Sequence, residues 1–321
     1  MGRIPSRVIS YALVVSLLSF LLLAKGLAQP AWAEKMITLK VGMIPIGELI
    51  PLYMGMEKGY FAEEGLKLKN IPMRSGAVII PALIGGSVDI GYSAVVNSIT
   101  ARARGLPIMI VASNRIMDRE TYVGVLKESG IYRYRDLSGK VVATNVIKGI
   151  SPLFINELVF RDRGDPSTIT WLEVRFPNMI PALVNKQAVG VLLVEPFATV
   201  AREDPKIRLL SPYFGLLNYG GPLANWVATD KAIKNNLPVL RRFVNANKKA
   251  VDYSNAHPDE ARLIVTKYTR IKPAMAKKMG LPNWSNKIDL ANLQWIADLV
   301  HKHGYIDRRF DVSGLLHEMA R

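Results

Sequence analysis

The sequence contains no cysteine and only four histidines. The lack of cysteine excludes a disulfide framework, a thiolate nucleophile and a cysteine-based metal site. His301 and His303 are two residues apart. They therefore point to different sides of a helix and make a poor metal pair. We accordingly predict surface histidines and neither a metal site nor a catalytic histidine.

Sequence motifs of several enzyme classes are also missing. No Gly-x-Ser-x-Gly elbow, no Walker phosphate loop and no His-Glu-x-x-His zinc motif occurs in the chain. We therefore predict no catalytic residues and no cofactor, that is, a binding protein rather than an enzyme.

The charge is strongly basic, with 42 Lys and Arg against 26 Asp and Glu and a formal net charge of +16. Such an excess can attract nucleic acids, anionic membrane surfaces or anionic ligands. The basic residues are scattered, however, and their densest groups lack the interleaved aromatic residues of a strand-binding groove. We therefore predict no nucleic-acid partner and a largely solvated basic surface.

The first 33 residues have the pattern of a secretory signal peptide. Arg3 and Arg7 precede an apolar run from 8 to 23, and Ala31-Trp32-Ala33 supplies small residues at a cleavage position. A retained membrane anchor is the alternative, although the sixteen-residue run is slightly shorter than a spanning helix. We predict cleavage after Ala33 and no stable membrane anchor afterwards. With no cysteine to carry a lipid, the expected location is the periplasm.

From residue 37 to residue 210, short β-type runs alternate with helical stretches, which is typical of parallel sheets covered on both faces. Ile80-Pro81-Ala82-Leu83 recurs as Ile180-Pro181-Ala182-Leu183, at the same place in a helix–strand unit, and favours two lobes of similar build. After Asp230 the pattern is helical, so this tail must pack back onto a lobe. The predicted strands are 37–44, 66–71, 89–93, 107–112, 140–144, 169–174, 189–194 and 207–210.

Several segments, in order along the chain, carry a family resemblance. They are Pro51–Leu66, Ala82–Gly91, Gly105–Ile108, Ser129–Ile131 with Asp136–Ala143, and Glu195–Ala198. Together they resemble the nitrate/sulfonate/taurine-type periplasmic substrate-binding proteins of ABC transporters, a group that includes binders of the thiamine pyrimidine precursor. The resemblance spans about residues 37 to 200. Val189-Gly190 departs from it, because the family often has an acidic residue there.

The resemblance implies an α/β, two-lobed periplasmic-binding-protein fold of type II. Each lobe would be a mainly parallel sheet flanked by helices, with a helical C-terminal tail packed on lobe 1. Lobe 1 would combine residues 34–118 with 220–321, and lobe 2 would be residues 119–219, after a signal peptide of residues 1–33. Asn218–Pro222 looks like the return crossover, where glycine gives a hinge its torsional freedom.

The implied function is that of a monomeric receptor that closes around a small organic molecule, sulfonate- or carboxylate-like. The receptor would deliver this solute to an ABC permease with its ATPase. Two alternatives stay open on the same fold. One is a periplasmic sensor or scaffold protein, and the other is a pyrimidine-related enzyme.

In open α/β sheets, ligands bind beyond the carboxyl ends of the strands. Helix N-termini present free N–H groups there. The ends of the predicted strands thus give a candidate ligand-binding set: Glu48, Arg74, Ser75, Gly76, Tyr92, Ser93, Ala94, Asn114, Thr144, Asn145, Asn178 and Glu195.

Two charged members of this set predict opposite ligands. Glu48 would attract an amine, whereas the Arg74 guanidinium could clamp a carboxylate or sulfonate. The backbone at 75–77 and 93–94 would meet the anionic group, which is our leading hypothesis. Each residue has a purely structural alternative. Glu48 could serve a helix dipole, the two serines could be helix N-caps, Arg74 could be solvated and Glu195 could fix a turn.

Overall fold

The computed structural model describes residues 36–116, 121–217, 219 and 221–320. The predicted signal peptide lies outside these residues. The strands are β1 (Ile37–Met43), β2 (Leu66–Pro72), β3 (Ile90–Ala94), β4 (Ile108–Ile116), β5 (Tyr122–Leu126), β6 (Val141–Thr144), β7 (Thr170–Glu173), β8 (Gly190–Leu193), β9 (Ile207–Leu209) and β10 (Pro222–Thr229).

The helices lie between the strands and, in the last third of the chain, follow one another. They are α1 (Ile50–Glu57), α2 (Tyr60–Glu63), α3 (Gly76–Ile84), α4 (Val95–Ala103), α5 (Ile150–Arg161), α6 (Met179–Val184), α7 (Phe197–Arg202), α8 (Tyr213–Leu216), α9 (Asp230–Ala256), α10 (Pro258–Tyr268), α11 (Pro273–Ala276) and α12 (Leu290–Lys302). Within the described residues, none of them combines the length and apolar character that a membrane span requires.

Two five-stranded sheets share one topology, β2-β1-β3-β10-β4 in lobe 1 and β7-β6-β8-β5-β9 in lobe 2. The strand in the fourth position runs antiparallel to both neighbours in each sheet. The other pairs, β1 with β2 and β3 and β6 with β7 and β8, are parallel. The predicted α/β class with two lobes of similar build is thus confirmed.

The antiparallel strands β5 and β10 are missing from the sequence prediction, which placed no strand between residues 112 and 140 or after residue 210. Each is the first strand after the chain has moved from one sheet to the other. The chain therefore changes sheets between β4 and β5 and returns between α8 and β10. The lobe limits at 118/119 and 219/220 stay predictions.

The return crossover is packed against the C-terminal helix α12. The Tyr219 ring stacks on Trp295 with ring centroids 5.2 Å apart and an interplanar angle of 21°. A Cβ on Gly221 would lie only 2.4 Å from the Cβ of Asn292. Glycine is therefore needed here for close approach to the helix.

The helical tail packs mainly on lobe 1, as predicted. Helices α9 and α10 both contact α1, and the fully buried Trp226 of β10 packs its ring edge-on against Phe243 of α9. Helix α12 also reaches lobe 2, since the ring of Trp295 packs against that of Phe154 in α5, with ring centroids 5.9 Å apart. The tail thus touches both lobes.

An ion cluster strengthens this second contact. The buried Glu157 of α5 accepts a hydrogen bond from Lys302 at 2.7 Å, and the ring of His303 lies 3.0 Å from the same carboxylate. Arg161 donates to its other oxygen at 2.9 Å. A carboxylate can stay charged when it is buried only because it is paired and hydrogen-bonded.

The outer edge of β4 is covered by residues close to the end of the sequence. Ile110 donates its backbone N–H to the carbonyl of Leu315 and accepts from the N–H of His317, both at 2.9 Å. Ile110 and Leu316 form a parallel bridge.

The packing of α3 on β3 predicts a large cost for any side chain at Gly91. An added Cβ would lie 2.2 Å from Cγ2 of Ile79 and 3.1 Å from Cδ1 of Leu83. We expect Gly91→Ala to lower the free energy of unfolding by about 1–3 kcal/mol, measured by chemical denaturation. Gly314→Ala is the matched control, because its Cβ would meet no atom within 4 Å. Equal losses in both variants would contradict the packing.

The Glu157 cluster predicts a pH-dependent contribution to stability. Burial raises the pKa of Glu157, but the hydrogen bonds from the three basic side chains outweigh it and place the pKa below its ordinary value of 4.5. The carboxylate therefore stabilises the fold fully above pH 4.5, and this stabilisation is lost as the pH falls through the lower folded-state value.

Glu157→Gln should unfold more readily than the wild type at neutral pH, and the difference should shrink in acid. Denaturation curves at a series of pH values measure it. A difference that stays constant below pH 4.5, the ordinary carboxyl pKa, would show that the Glu157 cluster does not stabilise the fold through its charge.

Candidate functional site

A small cavity lies between the two lobes, beyond the carboxyl ends of the parallel strands. Its volume of about 50 Å³ leaves room for a few water molecules. Both lobes supply aliphatic wall residues, and lobe 2 adds the rings of Phe176 and Phe214. The described polar side chains in the lining are Glu48, Tyr92, Asn97, Thr121, Asn145 and Ser151.

The lobes touch across this cavity. The backbone N–H of Gly47 donates to the carbonyl of Glu195 in the other lobe at 3.0 Å. Two ion pairs also join the lobes, Arg74 with Glu173 at 3.6 Å and Lys278 with Glu203. The structure therefore represents a state in which the cleft is closed.

Glu48 provides the acidic group of the cavity, and a hydrogen bond to its carboxylate holds the side chain in place. It lies in the single 3₁₀ turn that follows β1, and only 7% of its surface is exposed. The Tyr92 hydroxyl donates to Oε2 of Glu48 at 2.9 Å. The Tyr92 ring in turn packs edge-on against Trp226, 5.3 Å away. A carboxylate held in this way presents a fixed acceptor to N–H groups.

The main chain of Glu48 is held as well. Its carbonyl accepts hydrogen bonds from Nδ2 of Asn114 at 3.1 Å and from Nε1 of Trp284 at 3.0 Å. Both donors are buried. The turn that carries Glu48 is thus fixed by β4 and by the C-terminal tail.

The cavity brings together five of the residues that the sequence predicted. Glu48 and Tyr92 contribute polar groups, and Gly76 and Ala94 contribute backbone without bulk. A Cβ on Gly76 would lie 2.5 Å from Oγ of Ser93 and 2.9 Å from Nδ2 of Asn97. Only glycine therefore fits beside these two side chains. Asn145 completes the set from lobe 2.

Two predicted residues point elsewhere. Arg74 does not line the cavity and pairs instead with Glu173 across the lobe boundary. Asn178 is exposed and lines an outer groove between the lobes, together with Arg270. Both residues follow predicted strands, as the strand-end rule requires, but neither lines the cavity.

The remaining predicted residues are buried and do not line the cavity. Asn114 holds the Glu48 carbonyl, and Oγ1 of Thr144 donates to the carbonyl of Val146 at 3.3 Å. Glu195 accepts a hydrogen bond from the backbone N–H of Thr199 in the first turn of α7 at 3.2 Å. Ser75 and Ser93 are buried as well. Ser75 makes no side-chain cap bond to α3.

Sequence reasoning missed Asn97, Thr121, Ser151, Phe176 and Phe214, all of which line the cavity. Asn97 and Ser151 lie in the first turns of α4 and α5. Extending the strand-end rule by one helical turn would have found both. Phe176 lies in a 3₁₀ turn, Phe214 lies in α8, and Thr121 is the residue before β5. The strand-end rule gives no signal for any of these positions.

Comparison with characterised proteins shows two kinds of relative. A 4-amino-5-hydroxymethyl-2-methylpyrimidine phosphate synthase of Aspergillus parasiticus is 28% identical over 240 residues, which is 70% of this chain and 67% of that protein. A formylaminopyrimidine-binding protein of Halalkalibacterium halodurans is 26% identical over 216 residues, 65% of this chain and 63% of that protein.

These relatives correct one expectation. The sequence motifs led us to predict a protein that is not an enzyme, and the similarity to enzymes contradicts this prediction.

The fold has clear structural counterparts. The alkanesulfonate-binding protein SsuA of Xanthomonas axonopodis pv. citri superposes with a TM-score of 0.76 at 17% identity, over 89% of this chain and 99% of that one. At this identity the likeness shows the fold, which confirms the predicted periplasmic-binding-protein architecture. The family model described as NMT1/THI5 like matches residues 47–261. The chain therefore belongs to the NMT1/THI5-like family.

Proposed function

We propose that the chain captures a small, planar nitrogen heterocycle with an amino substituent between its two lobes. The observation that carries the proposal is the cavity itself, which is walled by both lobes and contains an oriented, buried carboxylate beside aromatic rings. Ligand sites of this kind combine apolar walls with a few fixed polar groups.

The chemistry of the lining supports this ligand class. The Glu48 carboxylate accepts hydrogen bonds from amino groups. The side-chain amides of Asn97 and Asn145 can donate to ring nitrogens and accept from amino groups. The rings of Phe176 and Phe214 offer flat apolar surface to a planar ligand. A formylaminopyrimidine-binding protein among the relatives agrees with this chemistry.

The anionic solute expected from the sequence is less well supported. That hypothesis assigned Arg74 to a sulfonate or carboxylate, but Arg74 is engaged with Glu173 outside the cavity lining.

The proposed role is that of a periplasmic receptor for an ABC importer. Hinge closure around the solute would bring the lobes into the contact seen between Gly47 and Glu195. A partner, here a permease with its ATPase, can recognise the surface that only the closed state presents. Export through the predicted signal peptide, with cleavage after Ala33, is part of this proposal.

A second candidate function is pyrimidine synthesis at the same cavity, favoured by the similarity to synthases over 70% of the chain. The two candidates differ in what happens to the bound molecule. Mass spectrometry of the solute after capture and release distinguishes them, because a receptor returns it unchanged whereas an enzyme returns a new mass.

The first prediction concerns Glu48. Glu48→Gln should weaken binding of 4-aminopyrimidine by about 10- to 100-fold, since a hydrogen bond to a charged group contributes roughly 1.5–3 kcal/mol. Isothermal titration calorimetry measures the affinity. Glu128→Gln, the same change at an exposed ion pair with Lys186, is the control. If both variants bind like the wild type, the carboxylate is not part of the site.

The second prediction concerns closure. Because the chain has no cysteine, Lys67→Cys in lobe 1 and Lys206→Cys in lobe 2 can be labelled selectively with a fluorescent donor and acceptor. Energy transfer should change on ligand addition and saturate along the binding curve. A pair within lobe 2, Lys140→Cys with Lys206→Cys, should show no change. Binding without any change in the first pair would refute hinge closure.

A further inference from the structure

We infer that Trp284 is a positioning residue of the site: its indole N–H fixes the Glu48 turn and thereby sets the preference for amino-substituted ligands. The inference rests on the proposed function, because it concerns how the same carboxylate is held. It assigns a role in recognition to a segment outside residues 47–261, the part of the chain that the family model matches.

The turn that carries Glu48 needs external support. It is a three-residue 3₁₀ helix, Gly47–Leu49, and its N-cap residue Ile46 makes no side-chain cap bond. Short 3₁₀ segments have poor hydrogen-bond geometry of their own. The direction of the carboxylate therefore depends on what holds the main chain.

The indole of Trp284 supplies that support from the helical tail. Its Nε1 donates to the Glu48 carbonyl at 3.0 Å, and only 5% of the residue is exposed. Since this hydrogen bond is buried, its loss leaves a buried carbonyl with fewer partners. Trp284 thus acts on the carboxylate through the backbone and does not line the cavity.

Trp284 is itself tied down on two sides. Nδ2 of Asn255 in α9 donates to its carbonyl at 3.1 Å. The next residue, Ser285, donates its N–H to the carbonyl of Asn114 at 3.3 Å. Asn114 is the second donor to the Glu48 carbonyl. The tail, strand β4 and the Glu48 turn therefore form one connected hydrogen-bonded unit.

The test compares two probes, 4-aminopyrimidine and 4-methylpyrimidine, which differ only in the amino group. Trp284→Phe keeps an aromatic ring and removes the N–H. We expect its affinity for the amino probe to fall by about three- to tenfold, while its affinity for the methyl probe changes little. A purely structural role would weaken both probes equally. Trp171→Phe, on the lobe 2 edge strand β7, is the matched control.

A double-mutant cycle with Glu48→Gln separates the inference from the proposed function. If Trp284 acts through Glu48, Trp284→Phe adds no further loss of selectivity in the Glu48→Gln background. The inference is overturned, with the proposed function intact, if Glu48→Gln removes selectivity and Trp284→Phe retains it. If the wild type binds neither probe, the proposed function fails and the inference falls with it.

Hydrogen exchange gives a readout that needs no ligand and survives poor folding of a variant. The indole N–H of Trp284 in the wild type, followed by NMR, should be protected because it is buried and bonded. Exchange as fast as that of a free indole would overturn the inference.

Discussion

The position of β10 between β3 and β4 is the constraint on which the rest of the structure depends. This strand forms only after the chain has passed through lobe 2, yet it pairs with strands laid down more than a hundred residues earlier. It also carries Trp226, whose buried ring supports both Tyr92 and Phe243. Lobe 1 and the support of its site therefore depend on the return crossover, which brings β10 back to strands that lie far away in sequence. The strands of lobe 2, by contrast, follow one another along the chain.

The site follows from this arrangement. The groups that fix Glu48 come from separated parts of the chain, Tyr92 from β3, Asn114 from β4 and Trp284 from the tail. The opposite lobe adds the backbone contact from Glu195 to the same turn. A carboxylate held from several directions costs little further ordering when a ligand arrives. The same preorganisation serves capture and chemistry alike, so the fold by itself does not separate the two.

The sequence predicted the parallel strands, and most of the predicted strand ends lie within a few residues of the observed ones. This was possible because the alternation of apolar runs with helical periodicity is a local signal. It missed β5 and β10. Each of these antiparallel strands follows a crossover between the sheets, so it is not part of the strand–helix alternation on which the prediction relied. In the site, it found Glu48, Tyr92 and Asn145 from their positions at strand ends. Arg74, which was predicted with them, pairs with Glu173, and that ion pair depends on how the lobes meet. Trp284 carried no sequence signal, because its partner is a backbone carbonyl.

The covering of β4 by residues 315–317 has a consequence for solubility. An open edge strand offers unpaired N–H and C=O groups on which another chain can add. At the other edge of this sheet, Lys67 and Lys69 on β2 bring charges that disfavour such addition. In β4 the stretch Ile108–Ala112 is apolar and carries no charged residue. Residues 315–317 therefore occupy backbone groups of β4 that would otherwise be open to pairing with a strand of another chain.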